Sequence, residues 1–228
     1  MGPTETFLKP AEYLDSGAPN IVAFARQARE GATDDIAKVV RLYYAVRDGI
    51  VYTPYCDFNS METFRASACL ARGSGFCVAK AALLAAAARA SGIPARVGFA
   101  DVRNHLTTPR LRRLMGTDLF VYHGYTELYL DGKWVKATPA FDRGLCEKFG
   151  VRPLEFDGRL DSLFHPYDVA GRRHMEYVRD RGSAVDVPVA EILEVFNRYY
   201  PQLTAGTLTP SATQFGREAE QTRADATG

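Results

Sequence analysis

Gly75-Phe76-Cys77-Val78-Ala79-Lys80-Ala81-Ala82-Leu83-Leu84 places a glycine-flanked cysteine at the mouth of a strongly apolar helix. At a helix start, unpaired backbone N–H groups and the positive end of the macrodipole favour a thiolate, and the thiolate is the nucleophilic form of cysteine. From Cys77 to about Ala90 the stretch carries eight alanines with Val78, Leu83 and Leu84, so little of its surface suits water. A helix apolar nearly all round is buried, and Ser91-Gly92-Ile93-Pro94 ends it. The pattern predicts a central buried helix with a reactive thiol at its head, which leaves the base to be found.

Upstream, Pro19-Asn20 followed by Ile21, Val22, Phe24, Ala25 and Ala28 predicts a capped helix ending near Gly31. Thr33-Asp34-Asp35 opens a second, in which Ile36, Val39, Val40, Tyr43 and Tyr44 recur at helical spacing up to Asp48-Gly49. Ile50-Val51-Tyr52-Thr53 reads as a short extended segment stopped by Pro54, and residues 61–70 as a third helix before Gly73-Ser74-Gly75.

Downstream, Ala95-Arg96-Val97-Gly98-Phe99-Ala100 reads as a strand, and residues 107–114 as an exposed connection or short helix. Residues 120–130 and 133–138 form two further strands joined by Asp131-Gly132, a pair suited to the positive φ angles of a tight hairpin. The period of two sets His123, Tyr125, Glu127 and Tyr129 on one face, and Gly124, Thr126, Leu128 and Leu130 on the packing face. Residues 143–186 mix short elements with charged turns such as Asp157-Gly158-Arg159 and Gly171-Arg172-Arg173. A helix over residues 189–200 is stopped by Pro201, and the polar composition after Thr207 predicts disorder.

The chain of 228 residues, 46% hydrophobic with 13 Phe and 12 Tyr, can build one domain with a sizeable core. Its 28 basic and 27 acidic residues make no global field toward nucleic acid or an anionic membrane, so neither is an expected partner. The first residues, Met1-Gly2-Pro3-Thr4-Glu5-Thr6-Phe7, lack a basic segment followed by an apolar run, and a cytoplasmic location is expected. Cys56, Cys69, Cys77 and Cys146 are too few for a disulfide scaffold and are expected to be reduced.

Three blocks in order carry a family resemblance: Gly75-Phe76-Cys77 heading the apolar helix, Gly92-Ile93-Pro94-Ala95-Arg96, and His123 with Glu127, Tyr129 and Leu130 followed by Trp134-Val135 and Pro139. The chain resembles the transglutaminase-like superfamily of papain-type cysteine enzymes over roughly residues 51–142. The resemblance implies an α+β fold, with a central nucleophile helix on an antiparallel sheet, N-terminal helices and a C-terminal extension. It also implies Cys77 as nucleophile and His123 as general base and acid. A helix-capping thiol beside an imidazole is expected to form a thiolate–imidazolium pair.

One position departs from the pattern. The superfamily's third residue is an Asp, sometimes Asn, before the Pro, and Thr138 stands there in Ala137-Thr138-Pro139-Ala140. A threonine hydroxyl can accept the N–H of His123 but brings no charge, a loss on the order of a few kcal/mol at an effective dielectric of about 20. Thr138 faces His123, or Asp142 or Asp101 takes the role, according to strand register. For the oxyanion, the Cys77 N–H is one donor and Tyr52 the candidate second.

Other candidates have structural readings. Cys56, Cys69 and Cys146 read as packing, and Glu127 as a strand residue too distant to partner His123. His105, His165 and His174 lack metal-ligand spacing, so neither metal nor cofactor is expected. Arg110, Arg112 and Arg113 read as a solvated face, whereas Arg172-Arg173-His174, near His165, could line a cleft.

The expected whole is a single catalytic domain over residues 1–206 and a tail over 207–228. Its expected function is cysteine-dependent acyl transfer through a Cys77 thioester, on a peptide, protein or small-molecule acyl substrate, with water or an amine as acceptor. The alternatives are a non-catalytic binding module on the same fold and a biosynthetic enzyme using the same Cys–His pair on a small metabolite.

Overall fold

The computed structural model describes residues 4–164, 167, 171, 174–206 and 209–227. A 3-10 turn at Glu5–Leu8 precedes α1 (Pro19–Ala28) and α2 (Asp35–Gly49). Asp34 caps α2 by accepting the Ala37 N–H at 2.7 Å. The run expected to be one helix over residues 61–70 is split into a 3-10 turn at Met61–Thr63 and α3 (Ala66–Arg72). Arg65 takes an extended conformation at the break, and the Ala66 N–H donates to the Tyr13 carbonyl, so the N-terminal segment caps α3.

Two short strands, β1 (Val51–Tyr52) and β2 (Ser74–Gly75), pair in parallel, and β2 leads directly into α4 (Cys77–Ala90). Every residue of α4 from Cys77 to Arg89 is buried, as its composition dictates. The helix is also tied at each end by a cation. Lys80, fully buried, donates from Nζ to the Arg47 and Ile50 carbonyls at 2.9 and 2.5 Å, at the C-terminal end of α2 where a positive charge suits the helix dipole. Arg89 donates to the carbonyls of Ala95, Lys9 and Val185, joining three distant segments at the other end.

Against α4 lies an antiparallel sheet of order β5-β4-β3-β6, built from β3 (Ala95–Asn104), β4 (Leu119–Leu130), β5 (Lys133–Ala137) and β6 (Met175–Ala184). A short α5 (Pro109–Met115) connects β3 to β4 and buries Leu111 and Met115. Asp131 and Gly132, at φ 48° and 82°, make the tight β4–β5 turn that their sequence predicts. The face of β4 bearing Gly124, Thr126, Leu128 and Leu130 is the packing face: Thr126 donates from Oγ1 to the Ala81 carbonyl of α4 at 2.8 Å. On β3, Gly98 is covered by the ring of its cross-strand partner Tyr125, so even a Cβ there would meet ring carbon at 2.3 Å.

After β5 come α6 (Arg143–Phe149), then α7 (Val189–Tyr199), α8 (Pro201–Thr204) and α9 (Gln214–Thr227). The tail expected to be disordered is therefore corrected: α9 docks on α6 and buries Phe215 and Ala219. Its Glu218 accepts from Tyr55 Oη at 2.5 Å, Thr108 Oγ1 at 3.0 Å and Arg110 Nη1 at 3.2 Å. A few anchors on one face suffice where average composition suggests none. His165, Arg172 and Arg173 lie outside the described residues. Among the described residues no helix is long and apolar enough to cross a membrane.

Candidate active site

The head of α4 is set by glycine packing. Gly73, left-handed at φ 65°, ends α3, and Gly75 lies so close to its neighbours that a Cβ would sit 2.8 Å from Cys69 Sγ. Cys77, 8% exposed, then occupies the first turn of α4, where backbone N–H groups are unused. Gly124 permits the closest approach of β4 to this turn: a Cβ at Gly124 would lie 2.8 Å from the Val78 Cα and 3.1 Å from its N.

His123, 2% exposed, stands next to that contact. It follows a β-bulge at which Val121 and Tyr122 together oppose Asp101, and Tyr122 takes φ 54° there. Cys77 and His123 line one cavity of about 40 Å³, walled by Phe76, Phe120 and Phe196 among others. His123 also lines a second cavity of about 20 Å³, together with Thr138, Ala140, Phe141 and His174. The imidazole thus stands between the thiol on one side and Thr138 on the other. Among the described residues, neither ring nitrogen of His123 nor Thr138 Oγ1 has a hydrogen-bond partner.

The sequence model of the Transglutaminase-like superfamily matches residues 22–139, just over half of the chain and all three of these positions. The chain belongs to the transglutaminase-like superfamily. No curated protein matches it. A solved structure, described as a "putative cysteine protease" from Cytophaga hutchinsonii, is similar in fold at a TM-score of 0.51 and 18% identity. The match covers 83% of this chain and 50% of that one, so the chain spans about half the length of its structural relative. A "putative protease" from Parabacteroides distasonis matches at a TM-score of 0.40 and 18% identity, over 59% of this chain and 25% of that one.

Both carboxylates that could have replaced the superfamily's Asp are engaged elsewhere. Asp142 caps α6, accepting the Leu145 N–H at 2.9 Å through Oδ1, and takes the Tyr52 N–H at 3.1 Å through Oδ2. Asp101 accepts the Tyr122 N–H at 3.1 Å and pairs with Arg181 at 2.5 Å, stabilising the bulge. Thr138, by contrast, has its backbone clamped with its hydroxyl left over. Its N–H donates to the Ser162 carbonyl at 2.9 Å, and its carbonyl accepts from Tyr43 Oη at 3.2 Å.

The backbone N–H of Tyr52 is consumed by Asp142, so it is not an oxyanion donor. The Tyr52 side chain does line the cavity beside Cys77. Burial, with a smaller contribution from the neighbouring thiol, raises the pKa of its phenol well above the ordinary value, which keeps it a donor.

Electrostatically, burial dominates the pair. It pushes the Cys77 thiol up to about 11, against the N–H groups of Gly124, Val78 and Cys77 itself, which favour the thiolate. It also pulls His123 down to about 4. Burial thus favours a neutral thiol and a neutral imidazole over the expected thiolate–imidazolium pair.

This has a measurable cost in acid. The unfolded chain takes up a proton at His123 below about pH 6.5, whereas the folded chain resists until about 4, so stability is lost as pH falls through that window. The loss from this group between pH 7 and pH 4 is expected to be about 3 kcal/mol. Urea unfolding at both pH values, in the native protein and His123→Asn, measures it; an equal pH dependence in the two proteins would refute the assignment.

The remaining candidates have structural places. Glu127 pairs with Arg96, its cross-strand partner, and the Arg96 guanidinium lies 4.2 Å over the Trp134 ring. Three landmarks of the superfamily pattern are thus one packing cluster. Cys69 and Cys146 are buried, Cys56 is half-buried, and none is in a disulfide. Burial raises the thiol pKa of Cys69 to about 11 and those of Cys56 and Cys146 to about 12. His105 contacts Glu176 at 3.5 Å, and the described residues hold no cluster of three or more metal-ligating side chains. Arg110 is not a purely solvated residue, since it pairs with Glu218 of α9. Sequence reading did not anticipate that Phe196 of α7, Tyr200 at the α7–α8 junction and Leu203 of α8 wall the Cys77 cavity, because nothing local marks which surface a distant helix will cover.

Proposed function

We propose that the protein is a cysteine-dependent acyl-transfer enzyme acting on an amide or related acyl substrate through a thioester on Cys77. The single observation that carries this reading is the shared cavity: Cys77 at the head of α4 and His123 of β4 line one space. Burial favours the neutral form of both groups, and in this reading the proton leaves Sγ for the imidazole as sulfur attacks the carbonyl carbon. The tetrahedral oxyanion is held by the Cys77 N–H and the Tyr52 hydroxyl. The C–N or C–O bond then breaks, with His123 returning the proton to the leaving group, and water or an amine takes the acyl group from sulfur.

In this reading Thr138 accepts the N–H of the His123 ring and fixes its tautomer, the part a carboxylate plays elsewhere. Thr138 and His123 line one cavity without a hydrogen bond between them, so the bond forms on substrate binding in this reading, and the engagement of Asp101 and Asp142 elsewhere supports the assignment to Thr138. A reducing, cytoplasmic setting suits four cysteines of which none is paired. The acyl donor is a peptide, a protein or a small molecule.

The test is acylation by an activated ester, followed by intact mass with the adduct located by peptide mapping. A single acyl group is expected on Cys77, formed roughly 10- to 100-fold more slowly in Thr138→Val and near the native rate in Thr138→Ser. An adduct on Cys56, Cys69 or Cys146 instead would sink the nucleophile assignment, and an unchanged rate in Thr138→Val would remove the threonine.

A further inference from the structure

We propose that the cavity beside Cys77 is an acyl subsite for a short, uncharged aliphatic chain, so that the donor is an ester, thioester or amide of a small aliphatic acid or side chain. The inference rests on the thioester reading above and names the substrate class that reading leaves open.

The walls decide the chemistry. Phe58, Phe76, Leu111, Met115, Phe120 and Leu203 contribute apolar surface from five separate segments, and among the described residues no charged side chain lines the space. Of the polar groups present, the Tyr200 hydroxyl is already used twice. It donates to the Leu119 carbonyl at 2.7 Å and accepts the Val121 N–H at 2.6 Å, where it takes the place of a strand partner beside the bulge. The His123 imidazole and the Tyr52 phenol stand with the thiol and serve the reacting carbonyl. A carboxylate or ammonium carried into this space would lose its hydration and meet no counter-charge.

Size sets the chain length. The cavity is about 40 Å³, well below the roughly 150 Å³ of an engineered cavity that binds benzene, so the room suits a few aliphatic carbons. Helices α5, α7 and α8 supply part of the wall through Leu111, Met115, Phe196 and Leu203, so a chain longer than the cavity must run past them.

The experiment compares p-nitrophenyl acetate, butyrate, octanoate and the monoester of succinate, with Cys77 acylation followed by intact mass. Butyrate is expected to react at least tenfold faster than the similarly long but charged succinate, and faster than octanoate. Leu203→Ala, which enlarges the cavity, is expected to move the preference toward octanoate, and Met115→Phe, which fills it, toward acetate. Equal rates for butyrate and succinate, or an unchanged order in both variants, overturn the subsite while leaving the thioester intact. Failure of every ester to acylate Cys77 overturns the thioester reading and the subsite together.

Discussion

Cys77→Ala is expected to lower turnover of an activated ester by at least about 10⁴-fold while leaving the protein folded. The asymmetry follows from what the side chain does. As a packing group, a cysteine at 8% exposure contributes one sulfur to the cavity wall, and its loss costs about 1 kcal/mol. As the nucleophile proposed above it would form the bond on which every later step depends, and His123 could not replace the thioester. Steady-state hydrolysis and thermal unfolding, measured on the same preparation, separate the two. A variant that retains turnover within tenfold, with unchanged stability, would show that Cys77 is only a packing residue and that the site is a binding cleft.

Gly124→Ala is expected to lower kcat by about a hundredfold, although one methyl group is added and no functional side chain is touched. The added Cβ would sit 2.8 Å from the Val78 Cα, and backbone atoms of a helix cannot rotate aside as a side chain does. The first turn of α4 must therefore move off β4 by several tenths of an ångström, taking Cys77 with it. Misplacement of a reacting group by about 1 Å costs on the order of a hundredfold, and overpacking costs about 1–3 kcal/mol. The contrasting change is Gly98→Ala, whose Cβ would meet only the Tyr125 ring on the far side of the sheet. A kcat for Gly124→Ala close to the native value, with stability unchanged, would mean that the helix head and the histidine strand are not held in fixed register.

How far these residues could be read beforehand depends on the range of the forces involved. The head of α4, its end at Ser91-Gly92 and the Asp131-Gly132 hairpin are settled by neighbours in the chain, and the sequence shows all three. Strand β6 was not legible. Its residues Met175–Ala184 are mostly exposed and heavily charged, and they form a strand because the edge of β3 offers hydrogen bonds to them. The fates of Asp101 and Asp142 were equally hidden. One is fixed by a bulge that shifts register within β4, the other by capping a helix three residues on. That Thr138 rather than a carboxylate shares a cavity with His123 is a matter of register alone. Helix α9 was misread as disordered because Phe215, Ala219 and Glu218 are too few to change the mean composition of the tail, yet each lands on a partner.

The alanines of α4 carry a consequence for the history of this protein. With every position from Cys77 to Arg89 buried, the helix is surrounded on all sides, and its neighbours approach to the distance that methyl groups allow. A larger side chain at any of them would have to push aside α1, α2, α3 or the sheet. Descendants that keep the architecture are therefore bound to keep small residues along the helix, whether or not they keep the cysteine at its head. Selection for volume and selection for chemistry act on the same thirteen buried residues. Cys77, at the head of the helix, lines the cavity, so a lineage that lost the proposed chemistry would show it there first.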